Sequence, residues 1–171
     1  MKKVLVVVDM QNDFISGALG TKEANDILEN VEKKIRDFDG EVIFTKDTHE
    51  KDYLSTQEGK NLPVQHCIRG SLGWEFPKSL QKLIDEKKFC VIEKSTFGSI
   101  DLAEKLSKEN VSEITLIGIC TDICVLSNAI IIKAYLPETK LIVDSSCCAG
   151  VTKKKHEAAL EVMRSCQIEV I

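Results

Sequence analysis

The residues best suited to chemistry lie in the stretch LIGICTDICVLSNA, residues 116–129. The stretch begins with the apolar run of a buried strand and continues with the pattern of a buried helix. Cys120, Asp122 and Cys124 lie at the junction, and in parallel sheets the carboxyl ends of the strands are where sites form. Two thiols and a carboxylate in that place suit nucleophilic catalysis, with Cys124 as the candidate nucleophile.

Other chemically useful side chains follow the other predicted strands. Asp9 ends the first apolar run, Asp47 and His49 come at the end of the second, and Lys94 ends the third. Because the carboxyl ends of parallel strands meet at one edge of a sheet, these groups should converge on the cysteine. Polar residues commonly terminate strands, so the convergence, rather than any single residue, indicates an enzyme.

These positions suggest a role for each member of a triad. Cys124 would lie in the first turn of a helix, where free N–H groups, the helix dipole and a nearby Lys94 ammonium favour a thiolate. Asp9 would accept the thiol proton and return it to a leaving group. The alternatives are that Cys124 is a plain core cysteine, or that Cys120 is the nucleophile. A cysteine-phosphatase loop is excluded, because the arginine it needs six residues later is Ile130.

A possible metal site accompanies the triad. Asp47 and His49 share one face of the extended segment DTH, and His66 follows in the same polar loop. A carboxylate with two imidazoles suits Zn²⁺, Mn²⁺ or Fe²⁺. The alternative is that all three are ordinary loop residues. Further possible ligands lie between the histidines: Glu50, Asp52, Glu58 and, less suited, Gln57.

Three more residues have two possible roles each. Phe14 and Trp74 are aromatic residues in polar loops near the predicted site, where they would pack on a flat substrate or cover the core. His156 falls on the same face of the last predicted helix as Leu160 and Met163. A packed structural histidine is therefore favoured over a catalytic one.

The elements that must position these residues alternate along the chain. Six short β-branched apolar runs indicate strands buried on both faces of a parallel sheet, at residues 4–9, 41–46, 89–94, 113–119, 140–144 and 168–171. Helical patterns cover residues 22–38, 77–87, 100–109, 122–136 and 152–166. This order predicts one α/β domain over residues 1–171, a three-layer α/β/α sandwich with a six-stranded, mainly parallel sheet. The long polar loop 47–76 is predicted to be functional.

Composition narrows the class of protein. The chain has 171 residues, of which 43% are hydrophobic and 29% charged, with a net charge of −4. That charge argues against nucleic acid or an anionic membrane as a partner. No stretch reaches the ~20 apolar residues of a membrane span, and the apolar N-terminal run is too short for a signal peptide. We therefore expect a cytoplasmic protein with reduced thiols, including the vicinal Cys147 and Cys148.

Five ordered blocks make the chain resemble the isochorismatase-like cysteine hydrolases, and most of all their nicotinamidase/pyrazinamidase branch. The blocks are VVVDMQNDFISGAL, TKDTH, HCIRGSLGWE, IEKSTFGS and LIGICTDICV. The resemblance implies that Asp9, Lys94 and Cys124 form the catalytic triad. It also implies a cis peptide bond between Ile119 and Cys120 that aims the amides of Cys120 and Cys124 at an oxyanion.

The resemblance further implies a metal-assisted reaction. One divalent cation, expected to be zinc with manganese or iron as alternatives, would hold a pyridine nitrogen through Asp47, His49, His66 and, on spacing, Glu58. The expected activity is hydrolysis of nicotinamide, and of pyrazinamide, through a thioester. A metal-free cysteine amidase acting on a carbamoyl or ureido substrate is the alternative, and a redox-sensing domain is a third. We expect a small-molecule amide as the partner and a homo-oligomer as the assembly.

Overall fold

Six parallel strands form the centre of the structure, a computed structural model that describes residues 2–171. The strands are Lys2–Val8 (β1), Glu41–Asp47 (β2), Cys90–Lys94 (β3), Val111–Ile119 (β4), Lys140–Ala149 (β5) and Glu169–Val170 (β6). Their order across the sheet is β3-β2-β1-β4-β5-β6, and every neighbouring pair is parallel. The predicted six-stranded, mainly parallel sheet is confirmed.

Helices cover both faces of the sheet. They are Asn12–Ile15 (α1), Lys22–Asp26 (α2), Leu28–Asp37 (α3), Gln57–Asn61 (α4), Lys78–Lys87 (α5), Ile100–Ser107 (α6), Leu126–Tyr135 (α7) and Lys153–Ser165 (α8). Apolar residues of α6, α7 and α8 form one core with one face of the sheet, and those of α1, α2, α3 and α5 form a second core with the other face. The three-layer α/β/α arrangement is therefore confirmed.

The central strand shows why the apolar runs are continuous. Val4, Val6 and Val8 of β1 belong to one core, whereas Leu5 and Val7 belong to the other, and all five are fully buried. Successive side chains of a strand point to opposite faces, so a strand covered on both sides has no polar positions.

Some element boundaries differ from those predicted. The predicted helix 22–38 is broken at Ile27 into α2 and α3, and Thr21 caps α2 by accepting a hydrogen bond from the Ala24 N–H. Strand β5 runs five residues beyond the predicted end, because after a register shift it pairs again with Gly118 and Ile119. The loop 47–76 also contains α4 and a 3₁₀ turn at Tyr53–Ser55.

The ends of β1 and β4 approach each other closely where the strand order reverses. The chain passes from β1 to β2 on one side, while β4 lies on the other, and such a switch point opens a crevice at the carboxyl ends of the strands. Gly118 near the end of β4 has φ 117°, and a Cβ there would lie 2.2 Å from the Val8 carbonyl oxygen. Only glycine fits, so the residues after Val8 and after Ile119 are brought together.

None of the helices described within residues 2–171 has the length and apolar character needed to cross a membrane.

Candidate active site

Three of the predicted residues meet at this switch point. Lys94 Nζ lies 2.6 Å from Asp9 Oδ2 and 3.6 Å from Cys124 Sγ. All three residues are buried. A thiol, a carboxylate and an ammonium group in contact can transfer a proton and support nucleophilic attack. The structure thus brings together the residues that the strand ends selected.

Each triad member is fixed by the backbone that carries it. Asp9 follows β1 in a left-handed conformation, φ 49°, which is uncommon for a residue with a side chain. Thr45 of the neighbouring β2 holds it, donating from Oγ1 to Asp9 Oδ1 at 2.7 Å. Lys94 is the last residue of β3 and also donates to the Thr96 carbonyl at 3.0 Å.

Cys124 lies in a short π-helical turn, Thr121–Val125, between β4 and α7. The peptide bond between Ile119 and Cys120 is cis, as the resemblance implied. Asp122 Oδ1 accepts a hydrogen bond from the Val151 N–H at 2.9 Å and anchors this turn to the segment after β5. The oxyanion role of the Cys120 and Cys124 amides stays a prediction.

His156 borders the same turn. Its Nδ1 lies 2.8 Å from Thr121 Oγ1, so the ring forms a hydrogen bond within the protein. Thr121 is fully buried. The sequence favoured a packed structural role for His156 on α8, and the structure adds this polar contact to that role.

Burial opposes ionisation of the candidate nucleophile. Burial raises the pKa of the Cys124 thiol well above its ordinary value, and the Asp9 carboxylate acts in the same direction against the opposing Lys94 charge. Burial thus opposes the thiolate that the sequence predicted, while the Lys94 charge favours it, and the thiolate stays a prediction. A thiol that is protonated at rest loses its proton during attack, which requires an acceptor in contact with it.

The two aspartates beside Lys94 differ in their environments. Burial raises the pKa of Asp9, and the Asp47 charge adds to this effect. Burial also acts to raise the pKa of Asp47, but the adjacent His49 ring and the Lys94 charge outweigh it and lower the pKa. Burial disfavours the Lys94 ammonium, yet its anionic neighbours raise the pKa of Lys94 above its ordinary value.

A second cluster, the candidate metal ligands, adjoins the triad through Asp47. Asp47 Oδ1 lies 3.2 Å from Lys94 Nζ, while Oδ2 lies 2.9 Å from His49 Nε2 and 3.7 Å from His66 Nε2. All three residues of this cluster are buried, and each can offer one ligand atom to a common point.

The donor atoms of the cluster fit a divalent cation. His66 Nδ1 lies 2.8 Å from the Val64 carbonyl, which only accepts, so Nδ1 carries the proton and Nε2 has a free lone pair. His49 Nε2 is buried with no hydrogen-bond partner among residues 2–171, although Asp47 Oδ2 is close. A buried imidazole nitrogen without a partner, beside the lone pairs of His66 and the Asp47 carboxylate, is unfavourable unless a cation lies between them.

Glu58 is the further ligand that spacing suggested. Its Oε1 lies 3.7 Å from His49 Nε2 and 3.6 Å from His66 Nε2. Glu58 lies in α4 and is more exposed than the other three residues, with 21% of its side chain accessible. The structure therefore places it beside the cluster, near both imidazoles.

An apolar cavity of about 270 Å³ connects the two clusters. Cys124 and Cys120 lie in its wall, as do Asp47, His66 and Phe14. Burial and the Asp122 charge raise the pKa of Cys120, the rival thiol, to about 12. A flat molecule in the cavity would contact the nucleophile and the candidate metal ligands together.

A larger cavity of about 870 Å³ adjoins the first, with His49 and Lys94 in its wall. Four residues line both cavities: Glu58, Leu62, Phe97 and Ile123.

Of the two aromatic residues predicted to bind substrate, only Phe14 lies at the cavity. The described wall does not include Trp74. Trp74 Nε1 donates to Thr48 Oγ1 at 2.8 Å, and Lys46 Nζ lies 3.2 Å from its ring centroid. One face of the Trp74 ring is thus covered by the Lys46 ammonium group, and the ring packs against the core. The prediction that Trp74 contacts the substrate is therefore corrected.

Comparison with known proteins identifies the chain. A sequence model described as the Isochorismatase domain matches residues 3–171. The chain belongs to the isochorismatase family.

Several relatives in this family are similar over nearly their whole length. The nicotinamidase/pyrazinamidase of Mycobacterium tuberculosis is 30% identical over 187 residues, covering 99% of this chain and 98% of the relative. The structure of a nicotinamidase/pyrazinamidase from Bacillus subtilis is 30% identical, with a TM-score of 0.82 and 99% of both chains covered. A pyrazinamidase of Pyrococcus horikoshii in complex with zinc is 25% identical, with a TM-score of 0.83 and 100% and 99% of the chains covered.

Sequence reasoning missed three residues of this isochorismatase-family site. Gln11, two residues after Asp9, forms hydrogen bonds with both the N–H and the carbonyl of Asp47. Phe97 lines both cavities, and Asn128 bonds the Cys124 carbonyl. Each of the three lies close in sequence to a member of the triad, and this was the available signal. Proximity in sequence does not show which way a side chain points.

Proposed function

We propose that this chain is a metal-assisted cysteine amidohydrolase that converts nicotinamide to nicotinate and ammonia, and that also hydrolyses pyrazinamide. The observation that carries the proposal is the cavity whose wall contains Cys124 together with Asp47 and His66. A pyridine carboxamide is flat, and it has a ring nitrogen for a metal at one end and a carbonyl carbon for a thiol at the other. The nicotinamidase/pyrazinamidase relatives support this substrate class.

The first half of the reaction forms a thioester. Cys124 Sγ attacks the carboxamide carbon while its proton passes to Asp9, and the carbonyl oxygen becomes an oxyanion held by the amides of Cys120 and Cys124. The C–N bond then breaks, and Asp9 returns the proton to the departing nitrogen, which leaves as ammonia. Lys94 keeps its charge throughout and stabilises the Asp9 carboxylate.

The second half hydrolyses that thioester. Water attacks the acyl carbon while Asp9 takes one of its protons. The C–S bond then breaks, Asp9 returns that proton to the sulfur, and the product releases its remaining carboxyl proton to solvent as the carboxylate. Asp9 thus acts as base and then as acid in each half, which its buried position in contact with Lys94 allows.

Asp47, His49 and His66 would hold the cation, with Glu58 as a further ligand. Zinc is the first expectation from the donor set and from the zinc complex of the Pyrococcus horikoshii relative. Bound there, the cation would supply a Lewis acid for the ring nitrogen and orient the ring. Phe14, with its ring centroid 5.5 Å from that of His66, would pack on the substrate ring.

A panel of amides tests the proposal. Ammonia release is measured for nicotinamide, pyrazinamide and benzamide, with the metal content determined on the same sample. Nicotinamide and pyrazinamide should be cleaved, whereas benzamide, which lacks the ring nitrogen, should show a far lower kcat/KM.

Two outcomes count against it. Equal kcat/KM for benzamide and nicotinamide would rule out anchoring through the ring nitrogen. Well under one equivalent of metal, no gain on adding Zn²⁺, Mn²⁺ or Fe²⁺, and turnover of a carbamoyl substrate instead would favour the metal-free amidase.

A further inference from the structure

Asn128 is a buried amide that the proposed chemical steps do not use. It lies in α7, four residues after Cys124, and its side chain is fully buried. The Ser99 N–H donates to Asn128 Oδ1 at 2.9 Å. Asn128 Nδ2 donates to the carbonyls of Cys124, at 2.8 Å, and of Phe97, at 3.3 Å. One side chain thus bonds the nucleophile's own backbone and the segment 95–99.

The segment 95–99 helps to position Lys94, together with Asp9 and Asp47. Lys94 Nζ donates to the Thr96 carbonyl at 3.0 Å, and Thr96 Oγ1 donates to the Gly98 carbonyl at 2.7 Å. Gly98 lies against α7, because a Cβ there would lie 2.4 Å from Ile131 Cδ1. The place of the ammonium therefore depends on a segment that is packed on, and bonded to, the helix following the nucleophile turn.

We propose that Asn128 is a positioning residue that fixes the Cys124 turn relative to Lys94, and so maintains the 3.6 Å separation between Lys94 Nζ and Cys124 Sγ. The proposal rests on the proposed triad. Asn128 contacts neither the sulfur nor the ammonium, and it acts through the backbone on either side of them.

The amide group suits this task for a chemical reason. Its oxygen accepts and its nitrogen donates twice, on one rigid planar group, which matches one N–H and two carbonyls. Aspartate would keep the bond from the Ser99 N–H but present an anion to the two carbonyl oxygens. Serine would keep at most part of the network and leave space beside the Cys124 carbonyl.

A merely structural role and a positioning role predict different results. Loss of buried hydrogen bonds lowers stability in both cases. Only a positioning role alters the reactivity of Cys124 in molecules that remain folded, since a displacement of ~1 Å in a site can lower a rate about 100-fold.

The test compares Asn128→Ser and Asn128→Asp with Ile132→Ala, a core truncation one turn further along the same helix. For each folded protein, kcat and KM for nicotinamide are measured below the melting temperature. The rate of Cys124 alkylation by iodoacetamide is followed by peptide mass spectrometry at one fixed pH. The exposed Cys90 serves as the internal reference in every sample.

We expect both Asn128 variants to lower kcat about 10- to 100-fold with KM nearly unchanged, and to slow Cys124 alkylation relative to Cys90. Ile132→Ala should lower the melting temperature and leave both rates near those of the unmodified chain. Unchanged or faster Cys124 alkylation in the folded Asn128→Ser protein would overturn the proposal, as would an equal loss of kcat in Ile132→Ala. Alkylation needs no amide substrate, so a chain that fails to hydrolyse nicotinamide contradicts the proposed function while the alkylation rates still decide the role of Asn128.

Discussion

At the scale of single residues, one ammonium group separates the roles of two carboxylates. Lys94 Nζ contacts Asp9 at 2.6 Å and Asp47 at 3.2 Å. Burial raises the pKa of Asp9, whereas the pKa of Asp47 is lowered despite its burial. Two neighbouring acids whose environments push their pKa values apart take different roles. Asp9 is suited to carry a proton and Asp47 to remain an anion that binds a cation.

Asp9→Asn tests the first of these roles. Asparagine retains an oxygen for the Thr45 hydroxyl, but it cannot accept the thiol proton, so we expect kcat to fall about 100- to 10,000-fold. In the unmodified chain the base must be ionised, so the rate should fall as pH falls through the pKa of Asp9. Burial raises that pKa above 3.8, so the fall should begin at a higher pH than an ordinary aspartate would give. Steady-state kinetics across pH measure both effects.

Two further variants make this result interpretable. Cys124→Ala defines the rate without a nucleophile. Asp144→Asn removes another lysine-paired aspartate, whose Oδ2 lies 2.7 Å from Lys34 Nζ and which does not line either active-site cavity. It should leave kcat unchanged. An Asp9→Asn protein with an unaltered pH profile would remove Asp9 from the mechanism.

At the scale of elements, the sequence predicted the strands and their ends well because burial leaves a strong pattern there. Asp9, Lys94 and the Cys124 turn were all identified from their places at the ends of apolar runs, and the structure brings them together. Side-chain direction within loops leaves no such pattern. A substrate contact was therefore predicted for Trp74 beside the alternative that it covers the core, and its ring packs under Lys46. Gln11 and Asn128 were not identified. The pKa of Cys124 depends on burial in three dimensions, which position along the chain does not report.

Gly118→Ala tests the close approach of β1 and β4. A Cβ at Gly118 would lie 2.2 Å from the Val8 carbonyl oxygen, in a backbone conformation with φ 117°. Gly70 is a matched control, because its φ is 78° but a Cβ there would have no atom within 4 Å. Gly70→Ala should cost about 1–2 kcal/mol of unfolding free energy from backbone strain. Gly118→Ala should cost about 1–3 kcal/mol more, because overpacking adds to strain. Urea denaturation measures both, and equal losses would contradict the proposed contact.

Gln11→Ala tests how the segment after β1 supports the candidate cation ligand at the end of β2. Gln11 Oε1 accepts from the Asp47 N–H at 2.7 Å, and Nε2 donates to the Asp47 carbonyl at 2.8 Å. Without these two bonds the backbone of Asp47, a candidate cation ligand, is held less firmly. The affinity for the cation should therefore fall about 10- to 100-fold. Competition with a colorimetric chelator measures it. The control is Gln81→Ala, which removes a surface amide of α5 and should leave the affinity unchanged. If Gln11→Ala also leaves the affinity unchanged, Asp47 needs no such support.

At the scale of the whole molecule, the site joins parts of the chain that are far apart in sequence. Asp47, His49 and His66 come from the end of β2 and from the long polar loop, while Cys124 comes from the opposite side of the switch point. The loop was predicted to be functional from its length and polarity alone. A cation bound at this cluster would link the loop to β2, and so would affect the stability of the folded chain as well as its activity.

Removal of the cation should therefore destabilise the protein. A ligand that binds only the folded state at 100 times its Kd adds about 2.7 kcal/mol of stability. For a chain of this size that corresponds to a fall of roughly 5–10 °C in Tm on chelation. The expected result is a lower Tm of the purified chain after treatment with a chelator, recovered by adding back Zn²⁺, Mn²⁺ or Fe²⁺.

His66→Ala is the control, because it removes a buried candidate ligand whose Nε2 lies 3.7 Å from Asp47 Oδ2. The Tm of this variant should change much less when the chelator is added. Differential scanning calorimetry of both proteins, with and without cation, makes the comparison. If chelation shifts the Tm of both proteins equally, the stabilising cation binds elsewhere, and the assignment of this cluster as the metal site fails.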